Sequence, residues 1–165
     1  MYHQGRLWWL LLPLLCLALP MWAAEPGRTT LPLHSGKWSD KYDNDFRKYT
    51  KLYFGPYYDW RWFKAQAIVE SNLDPRVTSH RGAVGLMQIL PTTFAEIKER
   101  HPNFINLEEP RWNIAAGIYY DRMLYRKWDL PSDQERLYFS LASYNAGYAR
   151  MCRAYRRPPH PGDSW

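Results

Sequence analysis

Cysteine is nearly absent from this chain: Cys16 and Cys152 are the only two in 165 residues. Cys16 falls in a leader-like segment, so the folded part keeps Cys152 alone and no intrachain disulfide can form. Stability must come from a packed core. Histidine is also scarce; the five histidines and Cys152 show no ligand spacing, and His80 and His101 have no partner nearby in sequence. A phosphate-cradling glycine loop and a Ser-His-Asp motif are both missing. The sequence therefore asks for no metal and no cofactor. Strand patterning is missing as well, with no period-two alternation longer than a few residues and no internal repeat. The expected class is all-α.

What the chain does have is aromatic and mildly basic. Nine Trp and thirteen Tyr help make up an aromatic content of 17%, enough to fill a core with large rings. Such rings also stack on the C–H faces of sugars, and composition does not choose between the two uses. The net charge is +6, from 22 basic against 16 acidic residues. The basic residues are scattered except at Arg150, Arg153, Arg156 and Arg157, and no nucleic-acid motif accompanies them. Nucleic acid is not the expected partner. An anionic polymer or membrane surface outside the cytoplasm fits the balance, as does a merely soluble surface.

One long hydrophobic run is present. Arg6 precedes the apolar residues 7–19, and Pro20 and the small pair Ala23-Ala24 follow. That order reads as an export segment over residues 1–24. Three fates stay open: removal as a signal peptide, retention as an anchor, or lipid attachment at Cys16. Residues 7–24 reach the lower limit of roughly 17–25 residues for a bilayer span, although Pro13 and Pro20 interrupt them. Each fate exports the folded part to the periplasm or cell envelope, with membrane contact through residues 7–24. Residues 25–39, rich in Pro, Gly, Ser and Thr, are expected to be a tether, and residues 40–165 one domain.

Helical spacing begins at Asp40. Tyr42, Phe46, Tyr49 and Tyr53 recur at intervals of four, three and four, and Gly55-Pro56 stops that helix. A second helix is expected from about Asp59 to Asn72, with Trp60, Phe63, Ala67 and Ile68 inward and Asp74-Pro75 beyond its end. Pro91 suits the first position of a third, carrying Phe94 and Ile97. A long helix over about 111–128 bears Ile114, Ile118 and Tyr125. Ser132 and Glu135 make a capping-box pattern that opens the next, lined by Leu137, Leu141 and Tyr144. A basic helix over about 148–157 closes the series.

Among the carboxylates Glu70 stands apart. It ends the apolar run Ala65-Gln66-Ala67-Ile68-Val69 just before a turn. Desolvation there would raise its pKa, as a general acid for glycosidic cleavage requires. A helix-end glutamate facing solvent is the plain alternative. Asp74 is the nearest second carboxylate, and its Asp-Pro turn marks it as structural.

The blocks Glu70-Ser71-Asn72-Leu73-Asp74-Pro75, Ser79, Gly85-Leu86-Met87-Gln88-Ile89-Leu90-Pro91-Thr92-Thr93, Asn113-Ile114-Ala115-Ala116-Gly117 and Ala142-Ser143-Tyr144-Asn145-Ala146-Gly147 resemble the soluble lytic transglycosylase domain. They follow its order and spacing over roughly residues 40–157. Asp59-Trp60-Arg61 and Gly162-Asp163-Ser164-Trp165 are most similar to a membrane-bound branch of that family. The resemblance implies a lysozyme-like helical domain with a groove for peptidoglycan glycan strands. It implies cleavage of the β-1,4 bond from N-acetylmuramic acid to N-acetylglucosamine, leaving 1,6-anhydromuramoyl ends. Glu70 matches the single catalytic glutamate. Ser79 matches a serine that helps hold that carboxyl and the muramoyl acetamide. Met87 and Gln88 match the groove-lining segment, and Tyr144 and Asn145 the pair opposite the glutamate. The bland readings are core packing for Met87 and Leu90 and helix capping for Asn145. Family members continue beyond the Tyr-Asn-Ala-Gly block, so this domain is expected to be short at its C-terminus and open to completion by an envelope protein partner. A hydrolase similar to goose-type lysozyme and a non-catalytic glycan-binding or assembly protein are the competing readings.

Overall fold

The computed structural model describes residues 38–156; the expected leader, the tether as far as Lys37 and the block at 162–165 lie outside them. Six helices make up the described part: α1 (Asp43–Phe54), α2 (Arg61–Ser71), α3 (Pro91–Arg100), α4 (Pro110–Lys127), α5 (Asp133–Ala146) and α6 (Tyr148–Tyr155). Among the described residues, strand pairing amounts to two isolated bridges, Thr78 with Val84 and Val84 with Ile89. The all-α expectation holds. No helix among these residues is long and apolar enough to cross a membrane.

The inner stripe of α1 buries Phe46 and Tyr49, with Tyr42 buried just before the helix and Tyr53 packed on the core's edge. Phe63 and Ala67 of α2 are fully buried, whereas Trp60 and Ile68 are only partly covered. The apolar pattern does not announce the tie between these helices. Lys64 and Asp43 are both buried and form an ion pair at 2.5 Å. Losing one partner of such a pair strands the other charge, at a cost of about 3–5 kcal/mol.

Helix α4 is the axis of the fold, packing against α1, α3 and α5. Every residue from Asn113 to Ile118 is buried, as befits a helix covered on all sides. Its start is set by Pro110 at the first helical position. Ser132 and Glu135 close the expected capping box on α5: the serine hydroxyl accepts from the Glu135 amide at 3.1 Å, and the Glu135 carboxylate accepts from the Ser132 amide at 3.1 Å. Helix α6 has no buried residue. Rings hold it instead, Tyr148 and Tyr155 lying 5.3 and 5.8 Å from Trp128.

Candidate active site

Glu70 occupies the last turn of α2, and the chain beyond it is locked. Asn72 and Leu73 both adopt left-handed backbone, with φ of 57° and 61°. That conformation disfavours residues bearing a Cβ by about 1–2 kcal/mol, and burial of the Leu73 side chain holds it there. The Asn72 amide closes the helix on the Ile68 carbonyl. The buried Ser71 hydroxyl donates to the Leu86 carbonyl at 2.9 Å and also lies 3.2 Å from that of Ala67. Ser71 thus ties the end of α2 to the segment Gly85-Leu86-Met87-Gln88. Glu70 itself is half-buried, and no ion pair or hydrogen bond engages its carboxyl among the described residues. Burial raises it above the ordinary carboxylate range.

The segment beside Glu70 is a small knot rather than a loose loop. Val84 and Ile89 exchange backbone hydrogen bonds of 3.0 and 3.1 Å around the turn 85–88. Gln88 sits in left-handed backbone with φ of 47°, and its side-chain amide steadies the turn by donating to the Val77 and Gly85 carbonyls, each at 3.0 Å. Asn113 fastens the knot to α4. Its carbonyl oxygen accepts from the Met87 amide at 2.7 Å, and its amide donates to the carbonyls of Val84 at 2.8 Å and Leu107 at 3.1 Å. Two glycines permit the approach. A Cβ on Gly85 would stand 2.5 Å from the Asn113 amide nitrogen, and one on Gly117 2.7 Å from the Met87 side chain.

The predicted site residues divide by what they offer solvent. Met87 has no exposed surface and its side chain belongs to the core, so a contact between that side chain and a glycan is not what the fold provides. Gln88 and Ser79 are half-buried, and both brace the turn: the Ser79 hydroxyl accepts the Ala83 amide at 3.0 Å and keeps its own proton to donate. Tyr144 reaches from α5 and donates its hydroxyl to the Met87 carbonyl at 2.6 Å. Burial first, then the neighbouring carboxyls of Asp121 and Glu70, hold the phenol protonated far above its usual range. Asn145 is exposed in the last turn of α5. Asp74 is committed elsewhere: hydrogen bonds from Arg76, with the ion pair at 3.0 Å, pull it down to about 2.

The carboxyl that interacts electrostatically with Glu70 is Asp121. It sits on α4 with no exposed surface, and its electrostatics feel the Glu70 charge. Its place was visible in the heptad, since Ile114, Ile118, Asp121 and Tyr125 fall at intervals of four, three and four. An acid inside an apolar stripe was the signal to follow. Gln66, one turn before Glu70, lies against Asp121 and partly offsets its burial. Yet no oxygen of Asp121 and no amide atom of Gln66 completes a well-formed hydrogen bond.

The family model described as Transglycosylase SLT domain matches residues 55–164. Membrane-bound lytic murein transglycosylase F of Vibrio cholerae is 35% identical over 130 residues, which is 74% of this chain and 23% of that protein. The protein of the same description from Desulfosudis oleivorans is 36% identical over 97 residues, covering 57% and 20% of the two chains. The crystal structure of the 70 kDa soluble lytic transglycosylase of Escherichia coli superposes with a TM-score of 0.59 at 30% identity, covering 70% of this chain and 18% of that one. This chain spans about a quarter or less of the length of the relatives it matches. The six helices share the lysozyme-like fold of that structure.

Proposed function

Since this chain belongs to the transglycosylase SLT family, we propose that it cleaves the glycan strands of peptidoglycan between N-acetylmuramic acid and N-acetylglucosamine, with 1,6-anhydromuramoyl ends as product. The observation that carries this reading is Glu70: a half-buried carboxyl, raised by burial and unpaired, on a helix end that Ser71 fixes to a rigid turn. Protonated, it gives its proton to the leaving glycosidic oxygen. As carboxylate, it takes a proton from the muramoyl 6-hydroxyl, whose oxygen then bonds to the anomeric carbon. One group serves as acid and then base, and the sugar's own 2-acetamido oxygen assists departure in place of a second carboxylate.

Tyr144 has a defined part in this scheme. Its proton is given to Met87, so its oxygen faces substrate with lone pairs and accepts from the acetamide N–H. Gln88 and Asn145 supply amides at the rim, and Ser79 a hydroxyl with a proton to donate. A water-using hydrolase would need a second carboxylate in contact with groove water. Asp121 is shut off from solvent and Asp74 is held by Arg76, which favours the anhydro product. The export-like segment 7–19 and the membrane-bound relatives support residence in the cell envelope, with residues 7–24 touching the membrane and an envelope protein as a partner. A 70-kDa soluble lytic transglycosylase was also solved in complex with bulgecin A; calorimetric titration of that compound into this chain is expected to show binding. The deciding experiment is digestion of purified sacculi followed by mass spectrometry. Anhydromuropeptides support the proposal, whereas reducing ends would establish a hydrolase and no release a binding protein.

A further inference from the structure

We propose that Asp121 is a positioning residue for this chemistry: it faces Glu70 as a neutral acid, so that the two carboxyls never carry more than one negative charge between them. The inference rests on the function proposed for Glu70, and its evidence is the arrangement of groups around Asp121. The side chain has no exposed surface, and neither oxygen is hydrogen-bonded. Among the described residues no cation forms an ion pair with it. Lys64 of α2 is engaged by Asp43 of α1 at 2.5 Å. Arg122, its neighbour on α4, lies over the rings of Phe54 and Tyr125 at 5.3 and 4.8 Å. From α2 it meets Gln66 and Glu70, and from α5 Tyr144, whose phenol stays protonated. Tyr120 beside it on α4 answers to Glu96 of α3, another negative group.

A carboxylate stripped of water, with no paired cation and only a poorly aligned amide as donor, is among the costliest groups a fold can hold, and it escapes that cost by keeping its proton. Burial and the Glu70 charge both act in this direction, against a smaller opposing effect of Gln66. Glu70, half-exposed, ionises first. Asp121 then gains and loses no proton during the cycle. Its neutral dipole stabilises the Glu70 carboxylate in the interval between donating a proton and recovering one. The dipole limits how far burial raises Glu70, which must still ionise to act as base. A purely apolar neighbour would hold the Glu70 proton more tightly and leave it a poorer acid.

The test compares the full chain with Asp121→Leu, Asp121→Asn and Glu70→Gln, following side-chain carboxyls by carbon-13 NMR across pH and anhydromuropeptide release across the same range. Asp121 is expected to stay protonated while Glu70 titrates, and its midpoint to fall in Glu70→Gln because a nearby negative charge is gone. Asp121→Leu, similar in volume but without a dipole, should raise the Glu70 midpoint and move the alkaline limb of the rate profile up by about half a pH unit or more. Asp121→Asn, neutral and polar, should leave the Glu70 midpoint near that of the unmodified chain; a clear fall would show that Asp121 is ionised and overturn the proposal. So would an Asp121 midpoint in the ordinary carboxylate range, one indifferent to Glu70→Gln, or an Asp121→Leu profile that does not move. If Asp121→Leu does not fold, the comparison with Glu70→Gln still decides. Coupled titrations in a chain that releases nothing from sacculi would support the pairing and sink the proposed function alone.

Discussion

Asn113 should be the most sensitive side chain outside the carboxyls, because a single amide satisfies backbone groups from two segments. Replacing it with Ala leaves the Met87 amide unpaired in a residue with no exposed surface, which costs about 2 kcal/mol. The Val84 and Leu107 carbonyls also lose their donor. Both residues are half-buried, so water can reach them, and each adds only about 0.5–1 kcal/mol. The total is about 3–4 kcal/mol, a large share of the roughly 5–15 kcal/mol that holds a domain together. At about 4 °C per kcal/mol the melting temperature should fall by roughly 12–16 °C. Asn113→Asp separates the amide's two jobs. It can still accept from Met87, but it turns negative oxygen toward two carbonyls. Its folded-state pKa is therefore raised, and its stability should recover as pH falls and the carboxyl gains a proton. Thermal melts by circular dichroism between acid and neutral pH measure both effects. A melt for Asn113→Ala within about 2–3 °C of the parent, or a pH-independent Asp variant, would refute the assignment of Asn113 as the clasp of the turn.

Glu70→Gln should abolish release from sacculi, a loss of about 3 kcal/mol or more in transition-state stabilisation, while sedimentation with sacculi persists. Because burial raises Glu70 in the folded state, the parent loses stability relative to this variant as pH rises from the unfolded carboxylate value through the folded one; melts against pH check the sign. Tyr144→Phe leaves the Met87 carbonyl without its donor and should cost about 1–2 kcal/mol of stability together with a roughly ten- to thousandfold slowing of release; a normal rate would reduce Tyr144 to core packing. Gly117→Ala must displace Met87, whose Cβ and Cγ would each lie 2.7 Å from the new methyl, at a cost of about 1–3 kcal/mol; an unchanged melting temperature would show that the turn is softer than its hydrogen bonds suggest.

Helix positions were legible because each rests on a local rule. Pro91 and Pro110 start helices, Ser132 and Glu135 cap one, and the Tyr42-Phe46-Tyr49 stripe chooses the buried face of α1. Contacts that depend on two distant segments were not. Nothing in the spacing of α1 or α2 says that Lys64 will meet Asp43, since each reads as a surface charge on its own helix. The same holds for Met87. In sequence it flanks Gln88, an expected groove residue, but which way it turns depends on Gly117, thirty residues on, leaving room for its side chain in the core.

The site shows the same division between local pattern and three-dimensional pairing, and its consequence is chemical. Sequence reading placed Glu70 at an apolar helix end and named Asp74 as the nearest second acid. In space Asp74 is occupied by Arg76, and Asp121 from α4 is the carboxyl that feels the Glu70 charge. The three groups that could move a proton are thus unequal. Tyr144 has spent its proton on the Met87 carbonyl, and Asp121 is shut off from solvent. Glu70 alone joins an acidic proton to partial exposure. A site with one exchangeable proton can protonate a leaving group and then recover that proton from the same substrate, but it has no second base to activate water on the opposite face of the sugar. Ring closure by the substrate's own hydroxyl is the chemistry such a site can complete. If Asn145 stands opposite Glu70 as the family resemblance implies, Asn145→Asp should place an exposed carboxylate there and allow water to compete, so that reducing ends begin to accompany the anhydro product; their complete absence in a folded, active variant would mean that water is excluded by shape rather than by the lack of a base.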